Sequence, residues 1–385
     1  CVFAGRFSSA IGSVGIDLGT RGIKLLQVRE HGGELKVVGA GRVDAKAGDS
    51  WVEDRKALTD QLRAAFASGG FTGRRCVLSL PRSEVRMQLV RLPKMPESEL
   101  RQAVVWEASQ RFGFDREAME VDAILTGASL QDGERRDEIL LIAVSHDVIN
   151  AWVEPVMAAG LRPMAIETHF TALARAFSRQ SRRESDRSVT RVVLDVGASG
   201  STVMILRGDQ IAFCKSITIG GEQFDQAVAE HLQMDVAAAR ELRAARIAAA
   251  TDQPNARPIT EPSIDRAVYD AVRPLLGSFA KEVMLCIGYY GVMFRGYPPQ
   301  RLILTGGDGL EPRLDETLLQ QCRIPVVLDE DGSTVSGLME PIQAILHRAP
   351  GPPAWWAVAA GLSLRGISVG RLKRLQAVTC GTEAA

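Results

Sequence analysis

The chain has 385 residues, 46% hydrophobic and 24% charged, enough for two or more domains around a substantial core. Lys plus Arg and Asp plus Glu both number 46, so the net charge is zero and nothing supports a nucleic-acid binder working through bulk positive charge. Six scattered cysteines and five histidines form no C-x-x-C or H-x-x-x-H pair, and no apolar run approaches the roughly 20 residues of a membrane span, which argues against a disulfide framework, a structural zinc site and a transmembrane helix.

The opening CVFAGRFSSA lacks the apolar core of a signal peptide, and a reducing cytoplasm is the simplest setting for these cysteines. Val14 to Leu18 and Ile23 to Val28 predict two strands joined by a glycine-containing turn, with ELKVVGAGRV (34–43) as a third. Apolar positions at helical spacing, Val52, Leu58, Leu62, Ala65 and Phe66, predict a helix over 52–68 that Gly69 and Gly70 stop. RCVLSLP (75–81) is a short strand. Residues 81–163 read as an inserted α/β block: a strand in VRMQLVRLP, a helix opening at Pro96, then a strand running into a helix over 139–161. ETHFTALARAF (167–177) is a helix, and SRQSRRESDRSVT (178–190) a solvated linker. The strand-turn-strand plan restarts at Val192. An alanine- and arginine-rich helical stretch over 222–250, a loop at 251–262 and a helix over 263–295 follow. RLILTGG (301–307) is a strand ending in glycines, RAPGPPA (348–354) a loop, and WWAVAAGLSLRG (355–366) a closing helix.

The two restarts share chemistry. In GIDLGTRGIKL (15–25) and VLDVGASGSTVMIL (193–206), aligning Asp17 with Asp195 also aligns Gly19 with Gly197 and Gly22 with Gly200. Such turns expose successive backbone N–H groups that bind anions, phosphates above all. Bare carboxylates at the strand ends would repel a phosphate. A Mg²⁺ ion between Asp17 and Asp195 inverts that sign, and Lys24 adds positive charge. A lone D-x-G-x-x-G is a common structural hairpin, whereas a duplicated one suggests a polyphosphate held from both sides. In a third segment, LILTGGDGLEP (302–312), a strand opens into Gly306, Gly307, Asp308 and Gly309, a backbone able to lie flat against a base or ribose. There is no G-x-x-x-x-G-K-[ST] P-loop. Ser145, His146 and Asp147 are consecutive and cannot face one another as a triad. The spacing of Gly306 to Gly309 misses the Rossmann fingerprint. Two halves with the same opening predict a duplicated α/β fold with a cleft between the copies.

Together these segments resemble the phosphate-1, phosphate-2 and adenosine motifs of the actin-like ATPase superfamily, an α/β, ribonuclease H-like, two-lobed fold. IETHFTALARAF resembles its first connecting helix, and WAVAAGLSLRG the second, with Ala357, Ala360 and Gly361 at close-packing positions. Within the superfamily the chain is similar to the PilM family of type IV pilus assembly over about residues 12–366. VGIDLGTRGIKLLQV, the block from Ser79 to Phe112 with its Trp106-Glu107-Ala108, and IGGEQFDQAVAEHLQMDVAAARELR carry the likeness. Two departures stand out: Arg240 where the family has an acidic residue near the ribose, and RFGFDREAM where it has a proline-containing turn.

The resemblance implies bound ATP and Mg²⁺. Asp17 and Asp195 would hold the metal. Gly19, Thr20, Arg21, Lys24, Gly197, Ala198, Ser199 and Gly200 would surround the phosphates. Gly306, Gly307, Asp308 and Arg243 would lie by the adenosine. Glu167, with Asp195, would serve the attacking water, with slow turnover at most. It also implies lobes built from 1–80 with 164–190 and 355–375, and from 191–221 with 297–354. A helical subdomain at 222–296 and an inserted partner-binding subdomain at 81–163 complete the plan. The partner would be the N-terminal peptide of a PilN-like inner-membrane protein, which would recruit a cytoplasmic protein to the inner face of that membrane; self-association stays open. The basic segment GRLKRLQAV (370–378) reads as a solvated tail, with a membrane-surface helix as the alternative. A sugar or acyl kinase on the same fold, and a nucleotide-free adaptor resembling a type II secretion L protein, are the rival functions.

Overall fold

In a computed structural model of the protein, the described residues are 10–31, 34–45, 54–131, 134–178, 189–250, 261–294, 297–328 and 352–367. The linker at 179–188, the loop at 251–260 and the basic segment at 370–378 lie outside them. The chain forms two compact units.

The first unit holds a six-stranded sheet: β1 (Ala10–Ile11), β2 (Val14–Leu18), β3 (Gly22–His31), β4 (Glu34–Asp44), β5 (Arg75–Ser79) and β9 (Arg162–Glu167). Its order is β1-β3-β2-β5-β9, with β4 also paired to β3. β2 runs antiparallel to β3 and parallel to β5. Among its described helices are α1 (Arg55–Ser68), α4 (His169–Ser178) and α9 (Ala357–Ser363). α1 starts where the Asp54 side chain accepts from the Ala57 N–H at 2.8 Å, a capping bond to an otherwise unpaired donor. α4, at every position but Arg175, and α9, at every position, are buried. The small residues of AVAAGLS explain this. A Cβ on Gly361 would stand 1.9 Å from the Ala172 carbonyl oxygen, so only glycine lets α9 cross α4 at this distance. The Ser363 hydroxyl donates to the Ser13 carbonyl (2.7 Å) and accepts from the Val28 N–H (3.0 Å), tying α9 to the sheet.

The second unit has two sheets. Its five-stranded sheet contains β10 (Thr190–Val196), β11 (Ser201–Arg207), β12 (Gln210–Ile217), β13 (Arg301–Thr305) and β14 (Val326–Leu328), in the order β12-β11-β10-β13-β14. The antiparallel hairpin β10–β11 beside the parallel strand β13 repeats the plan of β3, β2 and β5 in the first unit. α5 (Gly221–Leu232), α6 (Val236–Ala250), α7 (Pro262–Phe294) and α8 (Leu314–Cys322) accompany this sheet. On α7 the buried residues Val268, Val272, Leu276, Phe279, Val283, Cys286 and Tyr290 recur every three or four positions, an apolar stripe pressed into the same core as Val192, Leu194, Phe224, Leu302 and Leu304.

The three-stranded sheet is β6 (Arg86–Pro93), β7 (Met119–Gln131) and β8 (Glu134–Ser145), with β8 central, and it is accompanied by α2 (Glu97–Phe112). Ile139, Leu141 and Ala143 alternate toward Leu100, Val104 and Ala108 of α2. On β8 the residue before them, Glu138, is fully buried and holds Arg91 Nε at 2.6 Å, while Arg91 Nη2 reaches the Tyr289 hydroxyl of α7 at 2.7 Å. α3 (His146–Ala158) follows β8.

Some sequence expectations change. β7 was not foreseen, because Gly127 and Ser129 interrupt its apolar alternation and its pairing with β8 is what makes it a strand. The helical stretch 222–250 divides at Gln233, whose left-handed backbone (φ 53°) ends α5, into the pair of helices that the family resemblance implies. Glu167 closes β9 rather than opening a helix, since α4 begins at His169. Among the described residues no helix is long and apolar enough to cross a membrane.

Candidate functional site

In the first unit the turn between β2 and β3 closes with the Gly19 N–H donating to the Gly22 carbonyl at 3.1 Å. Asp17 faces Lys24 across the hairpin, and Lys24 Nζ lies 3.2 Å from Asp17 Oδ2. The Ser79 hydroxyl, at the end of β5, donates to Asp17 Oδ1 at 3.1 Å. Thr20 is exposed at the tip, and the Arg21 carbonyl accepts from the Ala45 N–H at 3.0 Å.

The second turn repeats the closure: the Gly197 N–H donates to the Gly200 carbonyl at 3.0 Å. Its outward carbonyls then cap a helix. Gly197 O and Ala198 O each accept at 2.9 Å, from the Gly221 and Glu222 N–H groups at the start of α5. The glycine loop after β13 comes to the same place. Gly306 has φ 94°, and a Cβ there would stand 2.4 Å from the Val196 carbonyl oxygen and 2.5 Å from Asp195 Oδ1. The Asp308 N–H donates to the Val196 carbonyl at 3.0 Å, and a Cβ on Gly221 would lie 2.2 Å from Asp308 Oδ1. A Cβ on Gly307 would meet nothing within 4 Å. Asp195, Gly197 to Gly200, the N-terminus of α5 and Gly306 to Asp308 therefore form one glycine-rich surface around a buried carboxylate.

Arg243, expected beside the adenosine, is turned inward and 1% exposed. Its Nε and Nη2 donate to Glu311 Oε2 at 3.1 and 2.7 Å, Nη2 also to Asp308 Oδ1 at 3.1 Å, and Nη1 to the Gly221 carbonyl at 2.9 Å and to Asp225. Burial opposes its charge, but Glu311, Asp308 and Asp225 outweigh burial and push the guanidinium above its ordinary pKa. Arg246 extends the network, bonding Glu311 Oε1 at 2.8 Å and Asp265 at 2.6 Å. The network joins α5, α6 and the loop carrying Asp308. It occupies all three guanidinium nitrogens of Arg243 with the chain's own acceptors.

Glu167 is also engaged. Its carboxylate is fully buried, paired with Arg175 at 2.8 Å through both oxygens and with Arg365, and Thr171 Oγ1 donates to Oε2 at 3.4 Å. In the structure Glu167 joins β9, α4 and the residues after α9.

One participant has no counterpart in the sequence reading. Arg82, in the 3-10 turn Arg82–Glu84 after β5, bonds the Asp195 carboxylate and the Gly200 carbonyl, and its Nη1 also lies 3.4 Å from the Asp195 carbonyl. Nothing local in SLPRSE marks this. Cys214 on β12 is buried, and burial pushes its thiol up despite the influence of Arg82. Among the described residues no group of three or more His, Cys, Asp or Glu gathers as a metal site. Asp17 and Asp195 each lie against a cation of the chain, Lys24 and Arg82, and a Mg²⁺ ion that arrives with phosphate oxygens needs only one or two carboxylates.

Comparison with known proteins agrees with this architecture. A solved structure described as a PilM-PilN type IV pilus biogenesis complex is similar at 21% identity, over 93% of this chain and 99% of that one, with a TM-score of 0.73. The ethanolamine utilization protein EutJ of Carboxydothermus hydrogenoformans is similar at 14% identity, over 92% of this chain and 89% of that one, with a TM-score of 0.51. These likenesses show the actin-like ATPase fold. The sequence profile of the family described as type IV pilus assembly protein PilM matches residues 15–367, nearly all of the sequence in which the two turns, the glycine loop and the inserted sheet were found, and the chain belongs to that family.

Proposed function

We propose that the protein is a nucleotide-binding scaffold of type IV pilus assembly that takes ATP with Mg²⁺ and docks the N-terminal peptide of a PilN-like inner-membrane protein. The observation that carries the nucleotide half is the meeting of the 197–200 turn, the start of α5 and the Gly306–Asp308 loop on Asp195. Glycine turns favour anions through backbone N–H groups, and the open space beside Gly307 leaves its backbone accessible to a flat group. When bound, Mg²⁺ would neutralise phosphate charge; Asp17 is a carboxylate donor for it in this reading, and Asp195, paired with Arg82, lines the second turn. Lys24 supplies positive charge at the first turn. Gly19, Thr20, Arg21, Ala198 and Ser199 are the remaining turn residues of the site. Arg243 positions the adenosine loop through Asp308. Glu167 is spent on Arg175 and Arg365, which favours a nucleotide that sets conformation over one that is turned over quickly.

Family membership supports the partner half, and the inserted sheet supplies a means. β6 is an outer strand of that sheet, and an extended peptide can add to a strand edge through main-chain hydrogen bonds. Such docking would hold the protein at the cytoplasmic face of the inner membrane. Calorimetric titration of the full chain with ATP and Mg²⁺ is expected to saturate, and Asp195→Ala to weaken it; equal isotherms would remove Asp195 from the site. Fluorescence anisotropy with labelled N-terminal peptides of inner-membrane proteins encoded nearby tests the docking, and binding no better than that of scrambled peptides would end it.

A further inference from the structure

The two turns neutralise their carboxylates by different routes. Opposite Asp17 on the hairpin stands Lys24, and the strand itself brings the cation to 3.2 Å. Opposite Asp195 at the same register stands Thr202, which has no charge. The cation of the second turn comes from far away in the chain. Arg82 places Nη2 on Asp195 Oδ2 and Nη1 on the Gly200 carbonyl, the same oxygen that accepts from Gly197 N–H to close the turn. A Cβ on Gly197 would be 3.6 Å from Arg82 Nη2, so the guanidinium lies directly over the turn. Its side chain is 15% exposed and that of Asp195 8%. A guanidinium is always charged, and its fork can hold a carboxylate and a carbonyl together.

We propose that Arg82 is the resident cation of the second turn, standing where a divalent ion would otherwise neutralise Asp195, and that it sets the Mg²⁺ requirement of nucleotide binding. The inference rests on the nucleotide reading above. With Arg82 in place, the second turn already presents a neutralised carboxylate to the phosphates. Without it, Asp195 repels them unless Mg²⁺ comes between.

The test compares the full chain with Arg82→Gln and Arg82→Lys, using a fluorescent ATP analogue in EDTA and in MgCl₂ at matched ionic strength. Removing Mg²⁺ is expected to weaken binding to the wild type by less than about threefold and to Arg82→Gln by at least about tenfold, since an unscreened carboxylate beside a polyphosphate is strongly repulsive. Arg82→Lys keeps the charge without the fork and should fall between, and it carries the test if Arg82→Gln fails to fold by circular dichroism. The same Mg²⁺ dependence in wild type and variant overturns the proposal. A merely structural arginine would change stability and leave that ratio alone. If the wild type binds no analogue in either condition, the nucleotide reading fails, and Arg82 is judged with MgCl₂ alone. Mg²⁺ should then raise the melting temperature of the variant more than that of the wild type, and equal shifts overturn the assignment.

Discussion

Replacing Arg243 by methionine keeps the aliphatic stem and removes the guanidinium. Asp225, Asp308 and Glu311 are all at most 6% exposed, and each loses a charged partner at once. Arg246 bonds Glu311 and Asp265. Breaking a buried ion pair from one side costs about 3–5 kcal/mol, and here three carboxylates are affected, so the upper part of that range is expected. Against a typical stability of about 5–15 kcal/mol this is a third or more of the total. Urea unfolding of the full chain followed by far-UV circular dichroism measures it. Adding Glu311→Gln to Arg243→Met should recover part of the loss, because the neutral amide removes one uncompensated charge and the two sites share a network. A loss below about 1 kcal/mol for Arg243→Met, or a double variant worse than the sum of its parts, would refute the network as a source of stability. Nucleotide binding gives a second reading. If Arg243 acts through Asp308, affinity and stability fall together; a loss of affinity at unchanged stability would return Arg243 to direct ligand contact.

Two further outcomes are expected. Glu167→Gln leaves Arg175 and Arg365 without their shared carboxylate and should cost about 3 kcal/mol or more in unfolding free energy, while the phosphate-release rate per folded molecule stays unchanged; a slower rate with an unaltered melting temperature would restore the water-orienting role. Burial pushes the Cys76 thiol from 9.0 up to about 12. The folded state therefore holds that proton more tightly than the unfolded chain. The associated stability is intact below pH 9.0 and is lost progressively as pH rises toward about 12. Cys76→Ala should flatten the alkaline decline of the melting temperature, and an identical decline in both proteins would contradict the burial argument.

The sequence by itself determined what turn chemistry and short-range periodicity determine. Asp17-x-Gly19 and Asp195-x-Gly197 announced two hairpins because glycine, a strand-ending carboxylate and alternating apolar residues act within a few positions of one another. The spacing on α7 and the small residues of α9 were legible for the same reason. Which charges would meet was not. Lys24 reaches Asp17 along its own hairpin, so that pair lay in the local pattern, whereas Thr202 occupies the matching register and the cation on Asp195 is Arg82, 113 positions away in the chain. Arg243 and Glu167 looked available to a ligand because their types and places fitted one. The fold brought Asp225, Asp308 and Glu311 around the first, and Arg175 and Arg365 around the second. A charge removed from water must find its opposite nearby, and only the tertiary structure, by choosing which loops and helix ends share a buried space, decides which opposite that is.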